Sequence, residues 1–322
     1  MNSCKTKLLV LPLVLIISSS EPRPRTLRKS SPKTCHATTK SSQTSSQKVL
    51  KTITIKNLEE AFGKKPDVVV AEQVARITIP RDDVAISMDG VPLAPFMGLT
   101  TLISFQPGSR SEVELMGMAD IVLLEDEVHG AVASALENGM NITALHNHFV
   151  GETPRFYFMH IDKEGTENDV IQSFKRVAAT TKQKIQTAPR TETVSAIHPA
   201  PLKIILGEPA EVKNGMCKFV FGREFKAKCH CTVGKGMGAA SWAAFSGTDD
   251  NALMTGDFAL LEKEVQPLLQ SLAKNKIKIL AVHNHLLEEE PRYISVHFAG
   301  QGKAIDLAAA FNTGLYQTGI VR

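Results

Sequence analysis

ALHNHFVGETPRFYFMHIDKEG, residues 144–165, aligns without a gap on AVHNHLLEEEPRYISVHFAGQG, residues 281–302, at a constant offset of 137, with nine of twenty-two positions identical. The identities are His146/His283, Asn147/Asn284, His148/His285, Glu152/Glu289, Pro154/Pro291, Arg155/Arg292 and His160/His297, bounded by a shared Ala and a shared Gly. The chain is therefore an internal duplication, and it keeps mostly side chains that do chemistry rather than core fillers. Upstream, MGLTTLISFQ (97–106) pairs with MGAASWAAFS (237–246), each fitting a buried strand, and a three-residue deletion in the second copy then sets the final offset. Further upstream, LEEAF (58–62) before Gly63 and ARITI (75–79) match LKIIL (202–206) before Gly207 and CKFVF (217–221), a short helix and then a strand.

From Asp120 and Asp257 onward the apolar spacing becomes helical: Leu124, Val128, Val132 and Ala135 in the first copy, Leu261, Val265, Leu268, Leu269 and Leu272 in the second. Gly130 and Pro267 fall inside that pattern and predict a helix that starts late or kinks. A β-branched, apolar strand leads into each HNH tripeptide, and a six-residue connection with Glu152 and Pro154 returns into FYFMHI (156–161), so the motif is predicted to be a β-hairpin. A closing helix carries Val170, Phe174, Val177 and Ala178 on one face, matched by Leu307, Phe311 and Leu315. The expected fold class is α+β: two tandem homologous repeats, each an antiparallel or mixed sheet with the HNH hairpin flanked by helices, similar to a ferredoxin-like split βαβ arrangement. Residues 49–180 form repeat 1, the polar stretch 181–200 with Pro189 and Pro199 a linker, and 201–322 repeat 2.

At 322 residues and 43% apolar content the chain can bury two ordinary cores. Its net charge of +4 conceals a division: residues 1–48 carry nine Lys/Arg against Glu21 alone, leaving 28 basic against 32 acidic residues in the rest. A mildly acidic body lacks the basic stripe that phosphate backbones require, so nucleic acid is not an expected partner. Residues 1–20, with Lys5, Lys7 and a ten-residue apolar run, have the shape of a signal peptide. Residues 21–48, rich in Ser, Thr, Lys and Arg, read as a disordered tail or transit segment, so secretion is expected, with plastid import the alternative. No other run approaches membrane-helix length, and the mature protein is expected to be soluble without a membrane span. Beyond Cys4 and Cys35 there remain Cys217, Cys229 and Cys231, whose one-residue gap around His230 misses the spacing of zinc knuckles.

Residues two apart on a strand share a face, so His146 and His148 are expected to point together, as are His283 and His285. The hairpin returns His160 or His297, giving three histidines per repeat that suit a divalent metal such as Zn, Mn or Fe. Glu152 and Glu289 are candidates for ligand or general base, and Arg155 and Arg292 for holding an anionic group of a small-molecule substrate, together a metal-dependent, hydrolase-like scheme. Asn147 and Asn284 point the other way and are expected to satisfy backbone groups. The alternatives are a non-catalytic small-molecule or metal-binding module, a bicupin-like metalloprotein, since His-x-His-x-x-x-Glu with a later His is the cupin ligand order, and histidines that merely pair with acids such as Asp120, Glu125 and Glu127. The helices around each hairpin and the missing cupin glycines weigh against the cupin, and the acidic body against an HNH nuclease.

HNHLLEEEPR, MGAASWAAF and GDFALLEKEVQPLL, each with a weaker twin upstream, resemble the LppY/LpqO-type family of predicted bacterial lipoproteins and related proteins, over about residues 50–322. The resemblance implies an exported protein and offers no reaction. The chain departs from it in one respect: Cys4 precedes the apolar run, and no Cys follows where a lipobox would place one.

Overall fold

Both repeats lay down nearly the same order of elements in the computed structural model, which describes residues 50–183, 195–228 and 230–320. The signal and tail segments, residues 184–194 of the expected linker, and Cys229 lie outside the described residues. The first repeat runs α1 (Thr52–Phe62), β1 (Asp67–Val69), β2 (Val74–Pro80), β3 (Ile86–Met88), β4 (Val91–Leu93), β5 (Thr100–Pro107), β6 (Leu115–Leu124), α2 (Val128–Glu137), β7 (Asn141–His146), β8 (Glu152–Thr153), β9 (Phe156–Gly165) and α3 (Glu167–Ala178). The second runs α4 (Pro199–Leu206), β10 (Glu211–Lys213), β11 (Met216–Gly222), β12 (Phe225–Lys226), β13 (Thr232–Val233), β14 (Ala240–Gly247), β15 (Ala252–Leu261), α5 (Glu262–Lys274), β16 (Lys278–Asn284), β17 (Tyr293–Gly302) and α6 (Ala304–Leu315). No helix among the described residues is long and apolar enough to cross a membrane.

Each repeat builds a six-stranded antiparallel sheet, ordered β1-β2-β5-β6-β9-β7 and β10-β11-β14-β15-β17-β16. Mixed helix and antiparallel sheet in two tandem copies is an α+β architecture. Side-chain parity along β6 shows what covers each face. Leu115, Ala119, Ile121 and Leu123 join the core made with α1, α2 and α3, while Met116, Met118 and Val122 face the opposite way, into cores shared with the second repeat. Strand β15 does the same, with Met254, Phe258 and Leu260 toward its helices and Leu253 and Ala259 toward the first repeat. The two sheets thus pack inner face to inner face, each backed by its own helices.

This double burial corrects the helical reading from Asp120 and Asp257, which lie mid-strand in β6 and β15. A strand covered on both faces is apolar throughout, so it loses the period-2 signal that would have marked it. The helices begin only afterwards, and α5 starts directly at Glu262 and continues through Pro267. At the sixth helical position that proline removes a single i→i−4 bond, to Lys263, and the apolar face of Val265, Leu268 and Leu272 offsets the loss. Strand-to-helix corners are fastened identically: Glu127 accepts from Leu124 N and Glu264 from Leu261 N, both at 2.9 Å. Arg81 grips Glu127 with two bonds of 2.7 and 2.8 Å, and Arg223 grips Glu264. Each arginine also donates to the strand behind it, Val122 O or Ala259 O.

Candidate metal centre

One row of residues crosses the inner face of each sheet. In the first, the register pairs Thr78 with Leu102, Leu102 with Asp120, Asp120 with His160, and His160 with Ala144. In the second it pairs Val220 with Trp242, Trp242 with Asp257, Asp257 with His297, and His297 with Ala281. His146 and His283, two residues past the alanines on the same face, lie at the edge strands where the repeats meet. Their rings stack at 3.6 Å. The two rows therefore converge, and six imidazoles and two carboxylates form one cluster rather than one site per repeat.

The contacts obey an approximate two-fold relation between the repeats. His146 Nε2 lies 2.7 Å from His160 Nε2, and His283 Nε2 lies 2.8 Å from His297 Nε2. His148 stacks on His297 at 3.7 Å while His285 packs on His160 at 4.0 Å. Asn147 donates to Leu280 O and Asn284 to Thr143 O, clamping each edge strand to the other repeat. Both also donate within their own turns, to Phe149 O and Leu286 O, so the asparagine amides satisfy backbone groups.

His148 and His285 reach the cluster by a route the alternation of a strand does not give. Strand β7 ends at His146 and β16 at Asn284, so the second histidine of each tripeptide lies in the turn beyond and swings against the other repeat. The turn then passes a cis proline, Pro154 or Pro291, before β9 or β17 returns antiparallel to the edge strand. Glu152 and Glu289 serve that turn: Glu152 Oε1 accepts from Phe156 N at 3.4 Å, and Glu289 Oε1 from Tyr293 N at 2.8 Å. Arg155 and Arg292 are exposed on the same turns. None of these four belongs to the donor groups that could hold an ion among the described residues, which are His146, His283 and His297, and Asp120, His160 and His285, each with donor atoms within 4.8 Å of one another. His148 lies beside both groups and in neither, packed against Phe158 at 4.3 Å and Trp242 at 6.3 Å.

Asp120 was expected only as an acid that might pair with the histidines and Asp257 had no expected role, although both sit at the same offset of 137 as the histidines. Asp120 Oδ1 contacts His160 Nδ1 and lies 3.5 Å from His285 Nε2. Asp257 Oδ1 lies 3.6 Å from His297 Nδ1, while its Oδ2 accepts from Ser295 Oγ at 3.3 Å. Burial works to raise Asp120, but the facing His160 and His285 outweigh it and hold the carboxyl well below the usual range. Burial works equally to depress His285, and Asp120 outweighs that too, so His285 is raised. Asp257 is compensated too little: burial, opposed by His285 but joined by Asp120, pushes it up to about 7. Burial holds His146, His283 and His297 far below an ordinary imidazole, and neighbouring imidazoles deepen the effect. His148 is lowered to about 3, chiefly by burial, and His160 is lowered despite the pull of Asp120. His148 Nδ1, His285 Nδ1, His297 Nδ1 and Asp257 Oδ1 are buried without a hydrogen-bond partner. Cys231, in the other candidate cluster, is disulfide-bonded and so is not a thiolate ligand.

The family model described as Domain of Unknown Function (DUF1259) matches the chain twice, over residues 56–180 and 200–317. No curated protein matches. Among solved structures, the crystal structure of EtuB from Clostridium kluyveri is similar over 68% of this chain and 88% of its own, at 13% identity and a TM-score of 0.19.

Proposed function

We propose, since the chain belongs to the family described as Domain of Unknown Function (DUF1259) and that description assigns no chemistry, a function drawn from the centre alone. The protein binds a divalent metal ion (zinc, manganese or iron) at a centre to which both repeats contribute, and such an ion would supply an activated water for attack on a small-molecule substrate. The observation that carries this reading is the contact between His146 and His160. The Nδ1 of His146 lies 2.8 Å from Asn147 O, an acceptor only, so that nitrogen bears the proton. The Nδ1 of His160 faces the Asp120 carboxylate and bears its proton likewise. Both Nε2 atoms then carry lone pairs, aimed at each other across 2.7 Å. Such an arrangement repels unless a proton or a metal cation is shared between the two nitrogens, and imidazoles oriented through Nδ1 by a carbonyl or carboxylate are the usual form of histidine metal ligands.

Asp120 keeps 29% of its side chain exposed, so the first repeat's side of the centre meets solvent. An ion with an unfilled position there would lower the pKa of bound water to about 7, the basis of hydrolase-like chemistry. Glu152 and Glu289 hold the turns in this reading, and Arg155 and Arg292 remain at the surface for an anionic group of the substrate. The signal-like first twenty residues and the disulfide at Cys231 support export to an oxidising compartment; amino-terminal sequencing of the mature protein tests that. The test of function is metal content by plasma mass spectrometry on the purified chain beside His146→Ala/His148→Ala and His283→Ala/His285→Ala variants. Near-stoichiometric metal in the parent, lost in variants that still fold, is the expected result. No metal in the reconstituted parent sinks the reading.

A further inference from the structure

We propose that a cavity beside the centre seats a small molecule carrying a protonated amine, with Asp162 as the residue that selects it. The cavity's part as the seat of a substrate rests on the metal reading above; its preference for an amine does not. Its volume is about 290 Å³, room for about ten groups the size of a water molecule. The centre's row across the first sheet is Asp120, His160 and Ala144, and the next row on that inner face is Met118, Asp162 and Asn141. Asp162 is therefore two residues from His160 along β9, about 7 Å away. Leu286, which directly follows His285, lines the cavity with Asp162, Asn141, Met116 and Ala227, so both repeats supply its walls.

The equivalent space on the other side of the two-fold relation is filled. Leu253, Ala299 and Phe149 hold the places of Met116, Asp162 and Leu286, and all three are buried in one core. Met88 closes that core. Its counterpart is the smaller Ala227, since Ser87 pairs with Thr153 where Lys226 bridges Glu290. Lys278 stands in place of Asn141 and reaches Asp89 at 2.5 Å. The open side is also the side on which Asp120 keeps 29% of its side chain exposed, against 10% for Asp257. One of two equivalent spaces is thus emptied of apolar side chains and given a carboxylate.

Charge on the walls names the ligand. Arg110 lies 2.5 Å from Glu164, Lys228 2.6 Å from Glu288 and Lys163 2.9 Å from Asp169, so each of these cations has a counter-ion. Asp162 has no ion pair among the described residues. Its Oδ1 accepts from Asn141 Nδ2 at 2.7 Å, and its Oδ2 has no hydrogen-bond partner among those residues. A carboxylate oxygen left over at a partly apolar wall favours a donor that carries positive charge, because a charge-assisted bond is roughly twice as strong as a neutral one. Met116, Ala227 and Leu286 offer apolar contact to the rest of the molecule.

The experiment titrates the full chain, stripped with chelator, with n-pentylammonium, 1-pentanol and pentanoate, and follows the amide resonances of Asn141 and Leu287 by nuclear magnetic resonance. Saturable shifts with n-pentylammonium are expected, weakened about tenfold in Asp162→Asn. They should be lost in Ala227→Met, which puts into the cavity the side chain that fills its counterpart. No saturable shift, equal binding of pentanol or pentanoate, or undiminished binding to Asp162→Asn overturns the proposal. Should either variant fail to fold, the contrast between the three probes on the parent decides. Cobalt(II) loading, with the ion counted by plasma mass spectrometry, then separates this proposal from the metal reading: the paramagnetic ion should broaden or shift the protons of bound n-pentylammonium. Bound cobalt without that effect overturns the cavity's place beside the ion and leaves the metal reading standing. Amine binding by a chain that takes up no cobalt overturns the metal reading, and with it the substrate's seat, while the amine preference stands.

Discussion

Lys218, on the inner face of β11, has its Nζ 4.6 Å from the Trp242 ring and 4.9 Å from that of Phe96. Two aromatic faces return roughly 0.5–2 kcal/mol to a cation, yet burial lowers the amine to about 8, and each tenfold loss of proton affinity is worth ~1.4 kcal/mol, so desolvation wins. The sign follows: below pH 8 the folded state bears a buried charge, and between pH 8 and the ordinary 10.5 it sheds the proton before the unfolded chain does, so stability rises across that window. Lys218→Met should therefore melt at a higher temperature than the parent at about pH 7, with the gap closing by about pH 10.5; thermal melts at both pH values check it, and no gap at the lower pH refutes it. Trp242 is the single tryptophan of the chain and stands beside His148, so copper(II) binding at the centre should quench its emission by more than half. An unaltered spectrum from metal-loaded protein would contradict the placement of the ion. The histidines of this centre were legible because a repeated His-x-His is rare enough to stand out. Asp120 was legible only as an acid that could pair with the histidines, and Asp257 not at all, because a lone aspartate in an apolar segment looks like a helix-surface charge until its strand is known to be covered on both sides.

At the scale of elements, the arginine–glutamate fasteners decide where strands end and helices begin. Arg81 has no exposed side-chain surface, whereas Arg223 keeps 12%. Removing one partner of such a buried pair leaves the other uncompensated, a loss of about 3–5 kcal/mol. Arg81→Ala should cost that much in urea unfolding and Arg223→Ala less; a cost for Arg81→Ala under about 1 kcal/mol, the range of surface pairs, would refute the assignment. The outer elements were easy to read: β2 and β11 alternate, and the face of α3 repeats at helical spacing with Val170, Phe174 and Val177 buried. β7 and β9 pair antiparallel, but the connection between them is not a simple turn, since β8 leaves to pair with β3. Spacing within one segment carries no information about a partner strand some 65 residues away.

For the whole molecule, the duplication was plain in the sequence, but the meeting of both copies at one centre was not, because periodicity tells which face a residue takes and not what that face meets. Cores shared between the repeats, with Val122, Phe158, Ala244 and Ala299 in one of them, predict a single cooperative unfolding transition. Arg81→Ala, in repeat 1, should therefore shift the Trp242 emission melt, reporting on repeat 2, by the same amount as the melt followed by circular dichroism; separate midpoints would show that the repeats unfold independently. Ion binding only to the assembled pair should raise that shared midpoint, with about 2.7 kcal/mol gained at a free-ion concentration of about 100 Kd. Gly98, at φ +111°, carries the neighbouring contact: a Cβ there would lie 2.8 Å from Trp242 Cη2, so the tryptophan of one repeat fits only against a residue without a side chain in the other. That fit bears on ancestry. A homodimer of single repeats would bring His146 and its own copy together on a true axis, and any change near the axis would fall on both sides at once. Joining the copies in one chain released that constraint: the glycine stayed on both sides, Gly98 and Gly238, while the residue facing it became an indole at Trp242 and remained a leucine at Leu102.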